Sequence, residues 1–160
     1  MTRRNLMAVK MIHHHGFTVS DVQSSLKFYR DTLGFEELRV SERKDLPSYD
    51  VILGYENVHI ITALLRHPVN EFILELIQYI NPPSSPREQR NHYVGSSHCA
   101  YEVDDVEALY EKLVADGYGS INPPVDVVRG GVTVARAVYA LDPDGISVEL
   151  FEEFEDVVKK

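Results

Sequence analysis

The sequence predicts an α+β protein built from two tandem copies of one module. Three observations predict it. The phrase "HHHGFTVSDVQSSLKFYRDTLGF" at 13–35 and the phrase "SSHCAYEVDDVEALYEKLVADGY" at 96–118 share one order of strand, acidic cap, amphipathic helix and glycine stop. Each phrase is followed by short β-rich runs separated by turn signals. Between the halves lies "NPPSSPREQRNHYVG", rich in Pro and Ser, which reads as a linker. A period of roughly 75 to 85 residues is supersecondary in scale, so the halves are expected to bury one another's faces. An accidental likeness within a single ferredoxin-like domain explains the matched order less well. The expected boundaries are an N-terminal arm at 1–11, a first module at 12–81, a linker at 82–95, a second module at 96–155 and a tail at 156–160.

Taken in order, the first helix begins after Asp21, carries Val22, Leu26, Tyr29 and Leu33 on its apolar stripe, and stops at Gly34. The runs "FEELRV", "YDVILG" and "VHIITALL" follow as β-rich segments, and "EFILELIQYI" comes after a turn at His67 and Pro68. In the second half Asp104 and Asp105 supply the cap, Val106, Leu109, Tyr110 and Leu113 the stripe, and Gly117 the stop. Its β-rich runs are "VDVVRG", "VTVARAVYAL" and, after the turn "DPDG", "ISVELFEEF".

Composition narrows the function classes. Hydrophobic residues at 44% and charged residues at 26% are ordinary for a globular chain. The net charge of −9 argues against nucleic acid as a partner, because phosphate binding needs clustered Lys and Arg. No apolar run approaches the roughly 20 residues of a membrane helix, and "MTRRNLMAVKMIHHH" lacks a signal-peptide core, so neither membrane nor secretion is expected. The single cysteine, Cys99, excludes an internal disulfide and fits a reducing cytoplasm. The histidine triplet runs straight into "GFTVSD" and reads as native sequence, unlike a terminal tag.

Strand register separates the three histidines. Side chains alternate faces along a strand. Laying "HHGFTV" over "HCAYEV" pairs His14 with His98, and sets His15, Phe17 and Val19 against the apolar Cys99, Tyr101 and Val103. His13 and His15 are therefore expected on the core side, and His14 on the open face with Gly16 and Thr18. The last strand of each half carries one acid on that open face: Glu75 in "FILELIQY" and Glu149 in "ISVELFE". A carboxylate in so apolar a strand is costly unless paired, hydrogen-bonded or bound to a metal. A lone histidine is usually a structural residue, and a lone glutamate usually a rim residue. Four such placements at equivalent positions of a repeat favour a metal site instead. Two imidazoles and two carboxylates suit a divalent transition metal with positions open for water or substrate. Ile73, Ile77, Tyr79 and Phe151 share the open face, either as an apolar substrate wall with a polar handle at Tyr79 or as ordinary core.

At this point "HHGFTVSDVQSSLKFYRDTLGF", "ILELIQY", "SHCAYEVDDVEALYEKLVADG" and "ALDPDGISVELFE" resemble the vicinal oxygen chelate superfamily, which includes glyoxalase I, methylmalonyl-CoA epimerase, extradiol dioxygenases, and fosfomycin and bleomycin resistance proteins. The resemblance covers most of the chain. It implies paired βαβββ modules forming an open eight-stranded mixed β-sheet cup around one divalent metal (Zn, Ni, Co, Mn or Fe), and often a homodimer. It maps the metal ligands onto His14, Glu75, His98 and Glu149, in agreement with the register. A full His/Glu/His/Glu set looks like the glyoxalase I and epimerase branch, where the metal acidifies a C–H beside a carbonyl and holds the enediolate. Glu75 and Glu149 are then the catalytic base and acid candidates. The implied function is that of a metal-dependent lyase or isomerase acting on a small α-oxygenated molecule, with Tyr79, Ile77, Phe151 and Arg136 against the substrate; Arg129 is a second candidate for an anionic group.

Two alternatives stand beside this reading. An Fe(II) extradiol dioxygenase of this fold uses two His and one Glu, which leaves Glu75 as a surplus ligand. A non-catalytic ligand-binding protein of the bleomycin-binding kind lacks the metal ligands, whereas fosfomycin-type transferases resemble a His, His, Glu set in which Glu75 is again the surplus residue. The first strand, "GFTV", carries no arginine of the kind that helps bacterial glyoxalase I hold glutathione, and the epimerase branch tends to show Gln where Glu75 stands. Metal content should survive replacement of His13 or His15 if the register reading holds.

Overall fold

The computed structural model describes residues 9–85 and 87–154; the expected tail at 156–160 and most of the expected arm lie outside the described residues. Contacts divide these residues into two units, one of 9–22 with 34–84 and the other of 23–33 with 85–154.

In the first unit, β1 (His15–Thr18) leads into α1 (Val22–Leu26), whose helix continues as a π-helical segment at Lys27–Thr32. β2 (Glu36–Arg43), α2 (Pro47–Leu53), β3 (His59–Arg66) and β4 (Ile73–Asn81) follow. The four strands form a sheet in the order β1-β4-β3-β2, with β1 parallel to β4 and the other neighbours antiparallel. Alternation is strict where it matters: Leu74 and Leu76 are fully buried while Glu75 and Ile77 between and beyond them are half-buried. Burying each of those leucines contributes about 2 kcal/mol, which fixes the register and so fixes the face on which Glu75 emerges.

The run "YDVILG" departs from expectation. It lies on α2, because Pro47 at the first helical position pre-sets φ and Gly54 closes the helix in the left-handed region (φ 73°). Val51 and Ile52 stay exposed there, so the apolar run that reads as strand finds no sheet to pack on.

The second unit holds β5 (Cys99–Glu102), α3 (Val106–Ala115), β6 (Gly119–Ser120), β7 (Val125–Arg129), β8 (Val132–Leu141) and β9 (Ser147–Glu153). The order is β5-β9-β8-β6, with β7 also pairing β8, and β5 runs parallel to β9. Val148 and Leu150 are buried and Glu149 between them is not, repeating the pattern of β4. Among the described residues the strands number nine, in open sheets of four and five; the two-residue β6 is the addition to the eight expected. The helical residues 23–33 group with this second unit, where Phe28 rests edge-on against Tyr118 and the Tyr29 hydroxyl donates to Asp142. The wider π turn lets the adjacent Phe28 and Tyr29 both reach full burial.

The repeat extends to the helix starts. Asp105 caps α3 by accepting from the Ala108 amide at 2.9 Å. The first amide of each helix is also held by a last-strand side chain, three residues past the glutamate. Val22 N–H donates to Gln78 Oε1 at 3.1 Å, and Val106 N–H donates to Glu152 Oε2 at 3.0 Å. Gly34 and Gly117 take positive φ (81° and 87°) at the two stops.

Candidate metal centre

Each unit brings one histidine onto one glutamate. In the first, β1 and β4 are in parallel register with Gly16 opposite Glu75. His14, two residues before Gly16, therefore emerges on the Glu75 side, and its Nε2 stands 3.4 Å from Glu75 Oε2. In the second, Ala100 lies opposite Glu149 in the same parallel register, and His98 Nε2 stands 3.2 Å from Glu149 Oε2. The glutamates are the more sheltered partners, at 23% and 19% side-chain exposure against 42% for each histidine.

These gaps can be tested against a cation. Two ligand atoms at about 2.1 Å from one ion stand about 3.0 Å apart at a right angle and about 3.4 Å apart at the tetrahedral angle. Both His–Glu gaps fall inside that span, so each pair fits two adjacent coordination positions. Imidazole nitrogen with carboxylate oxygen is a donor set for divalent Zn, Ni, Co, Mn or Fe. Among the described residues no group of three or more His, Cys, Asp or Glu side chains gathers closely enough to hold an ion, so each unit by itself offers a pair.

The neighbours of the two pairs differ. Tyr139, in antiparallel register with Glu149, donates its hydroxyl to Glu149 Oε2 at 3.2 Å and lies 3.4 Å from His98 Nε2. Its ring meets His98 edge-on at 5.2 Å. Burial, with the Glu149 charge and hydrogen bond behind it, pushes the Tyr139 phenol above its usual range and keeps it a donor. The residue opposite Glu75 is Leu64, which has no such group. Tyr139 escaped the sequence reading, although the signal exists: the hairpin at "DPDG" pairs residues symmetrically about Asp144, which sets 139 against 149.

His13 also departs from expectation. It is exposed rather than on the core side, because β1 begins only at His15 and alternation does not extend back to it. Its Nδ1 instead lies 2.8 Å from His14 Nδ1. A His14 Nε2 lone pair free for a cation places the proton on Nδ1, where His13 Nδ1 accepts it. His15 is half-buried edge-on against Phe17 at 4.6 Å, its buried Nε2 has no hydrogen-bond partner, and burial holds its pKa below the usual histidine value.

Ile73, Ile77 and Tyr79 lie on β4 on the Glu75 face and Phe151 on β9 on the Glu149 face, all half-buried. Tyr79 meets Tyr55 edge-on at 6.4 Å. Arg136 sits elsewhere. It pairs in register with Glu152, on the side that holds α3, and its guanidinium is taken up by Asp126 at 2.7 Å and Glu107 at 3.3 Å. That placement turns it away from Glu149, which corrects its expected role at the substrate. Arg129 lies at the exposed end of β7.

Residues 11–150 match the family model of the Glyoxalase/Bleomycin resistance protein/Dioxygenase superfamily. The chain belongs to this superfamily. Within it, the chain is 33% identical over 141 residues to a lactoylglutathione lyase of Haemophilus influenzae, covering 88% of this chain and 91% of that one. It is 29% identical over 154 residues to a 2-epi-5-epi-valiolone epimerase of an Actinomyces species, covering 94% and 83%. A glyoxalase family protein from Bacillus cereus has the same fold, with a TM-score of 0.80 at 16% identity over 96% of this chain and 99% of that one. The superfamily thus supplies lyase and epimerase relatives along nearly the whole length, at identities that leave the individual reaction open.

Proposed function

We propose that this superfamily member is a divalent-metal-dependent lyase or isomerase that moves a proton next to a carbonyl in a small α-oxygenated substrate. One observation carries the reading. The same imidazole–carboxylate pair, at a spacing that suits two ligands of one cation, occurs at repeat-equivalent positions of both units. His14, Glu75, His98 and Glu149 would be the protein ligands of that metal. Modules at 12–81 and 96–155, a cytoplasmic location and a homodimer belong to the same proposal. When bound, the metal supplies Lewis-acid polarisation of two vicinal oxygens and so acidifies the neighbouring C–H.

The chain's own residues supply the rest. Glu75 and Glu149 each have a carboxylate oxygen within reach of an imidazole, and between them they take the proton from carbon and return it. Tyr139 orients the Glu149 carboxylate. Ile77 and Tyr79 on the Glu75 face and Phe151 on the Glu149 face are half-buried, and each would offer apolar surface, with one hydroxyl at Tyr79, to the carbon skeleton. The lyase and epimerase relatives support the same reaction type.

The test is metal analysis followed by a panel of α-hydroxy and α-keto carbonyl compounds in deuterated water. The proposal predicts metal-dependent washing-in of deuterium at the carbon beside the carbonyl. Oxygen uptake with catechols would replace it with the dioxygenase reading, and a chain that takes up no metal would replace it with a binding protein.

A further inference from the structure

The Glu75 face of the first sheet carries a cation that the pairs above do not use. Register places Arg39 of β2 opposite Leu64 of β3, Leu64 opposite Glu75 of β4, and Glu75 opposite Gly16 of β1. Residues directly opposite share a face, so this row carries Arg39, Leu64 and Glu75 side by side. Two residues along β3, on the other side of the register shift, Glu36 and Arg66 lie opposite one another and form an ion pair across the strands.

A bulge creates this arrangement. Glu36 and Glu37 pair with Arg66 and Leu65, then the register shifts so that Arg39, and not Leu38, meets Leu64. Without the extra residue Arg39 would fall opposite Ala63, on the other face of the sheet from Glu75. Bulges of this kind re-aim side chains and concentrate beside functional sites.

The charge on that face is unevenly settled. Arg66 is held by Glu36 and Glu71, and Arg43 donates to the Tyr49 hydroxyl and the Glu42 carbonyl. Among the described residues Arg39 has no carboxylate partner, in a chain with 25 acidic and 16 basic residues. Two strand spacings separate its Cα from that of Glu75 by roughly 10 Å, with the Leu64 side chain as the floor between. At the other end Gly16 leaves the row open, since a Cβ there would touch only Ile77 Cδ1 at 3.8 Å and the Glu75 carbonyl at 3.9 Å.

We propose that Arg39 is a specificity-determining residue that binds an anionic oxyacid group, a carboxylate or phosphate, at the far end of the substrate from the vicinal oxygens. This rests on the metal reading of His14 and Glu75. It narrows the substrate class to α-oxygenated carbonyl compounds carrying a second, anionic terminus. A guanidinium fork suits either oxyacid.

The test uses nickel-loaded protein and three chelating probes that differ only at the far end: adipic acid monohydroxamate, its phosphonate-ended analogue and its neutral carboxamide. Metal uptake by the wild-type chain and by Arg39→Gln is measured first, then the affinity of each probe by calorimetry. Arg39→Gln is expected to take up metal normally and bind one or both anionic probes about ten- to a hundredfold more weakly, with the carboxamide unchanged. The probe that loses more identifies the oxyacid, and Arg39→Lys should recover part of the loss. Normal metal uptake with the same loss for all three probes, or none, overturns the role of Arg39 alone. No metal uptake by the wild-type chain overturns the metal reading and this inference with it.

Discussion

Glu149 sits at the meeting point of three side chains, within 3.2 Å of His98 and accepting a hydrogen bond from Tyr139. Half-buried between the buried Val148 and Leu150, the carboxylate is costly unless a cation or donor compensates. Glu149→Gln should therefore lower turnover at least a hundredfold, roughly the scale of losing general acid–base help, while the unfolding free energy changes by less than about 1 kcal/mol. Kinetics beside urea denaturation check this, and equal stability losses with unchanged metal content would count against it. Tyr139→Phe should weaken metal binding about tenfold, as loss of a group orienting a ligand does. The histidines divide in the same way. His13→Ala should weaken metal binding by a similar factor through the lost Nδ1 contact, whereas His15→Phe should leave it unaltered. Zinc titration of both variants separates them. The placement of His14 beside Glu75 was legible in the sequence because Gly16, two residues on, lies opposite Glu75. Tyr139 and His13 were not, because one depends on hairpin pairing and the other on where a strand begins.

At the level of elements, the "DPDG" turn shows how a loop holds two strands and a helix in place. Asp142 is 5% exposed and accepts from the amides of Asp144 and Ile146 at 2.9 and 2.8 Å, and from the Tyr29 hydroxyl at 3.1 Å. Burial pushes its pKa up to about 6, with those three hydrogen bonds pulling the other way. A carboxyl whose native pKa exceeds its unfolded value binds more protons when folded, so stability falls as pH rises. The contribution is fully present below about 4 and is lost by about 6, with a ceiling of about 3 kcal/mol. Denaturant unfolding from pH 4 to 7 should show that decline in the wild-type chain and a flatter profile in Asp142→Asn. An identical slope in both would contradict it. The strands and capped helices were legible because Asp105, Gly34 and Gly117 mark their ends. The segment at α2 was not, since "YDVILG" carries the residues of a strand, and only the flanking Pro47 and Gly54 mark it as a helix.

For the whole molecule, the duplicated order of elements is the feature that made the fold readable. Sheet registers, glycine stops and the side chains holding each helix start recur in both units. The two units differ in detail: Leu64 stands where the second unit has Tyr139, and Arg39 occupies a bulged edge strand in the first unit. No helix among the described residues is long and apolar enough to cross a membrane. Each unit holds one imidazole–carboxylate pair, and under the proposed function both pairs would be needed to complete the ligand set of one metal. The decisive measurement is therefore the metal stoichiometry and affinity of the purified chain, wild type against single alanine variants at 14, 75, 98 and 149. The account predicts one divalent ion per chain, bound at least about tenfold more weakly in each of the four variants and unchanged in His15→Phe. A wild-type chain that takes up no ion, or one whose ion is indifferent to all four replacements, would contradict it.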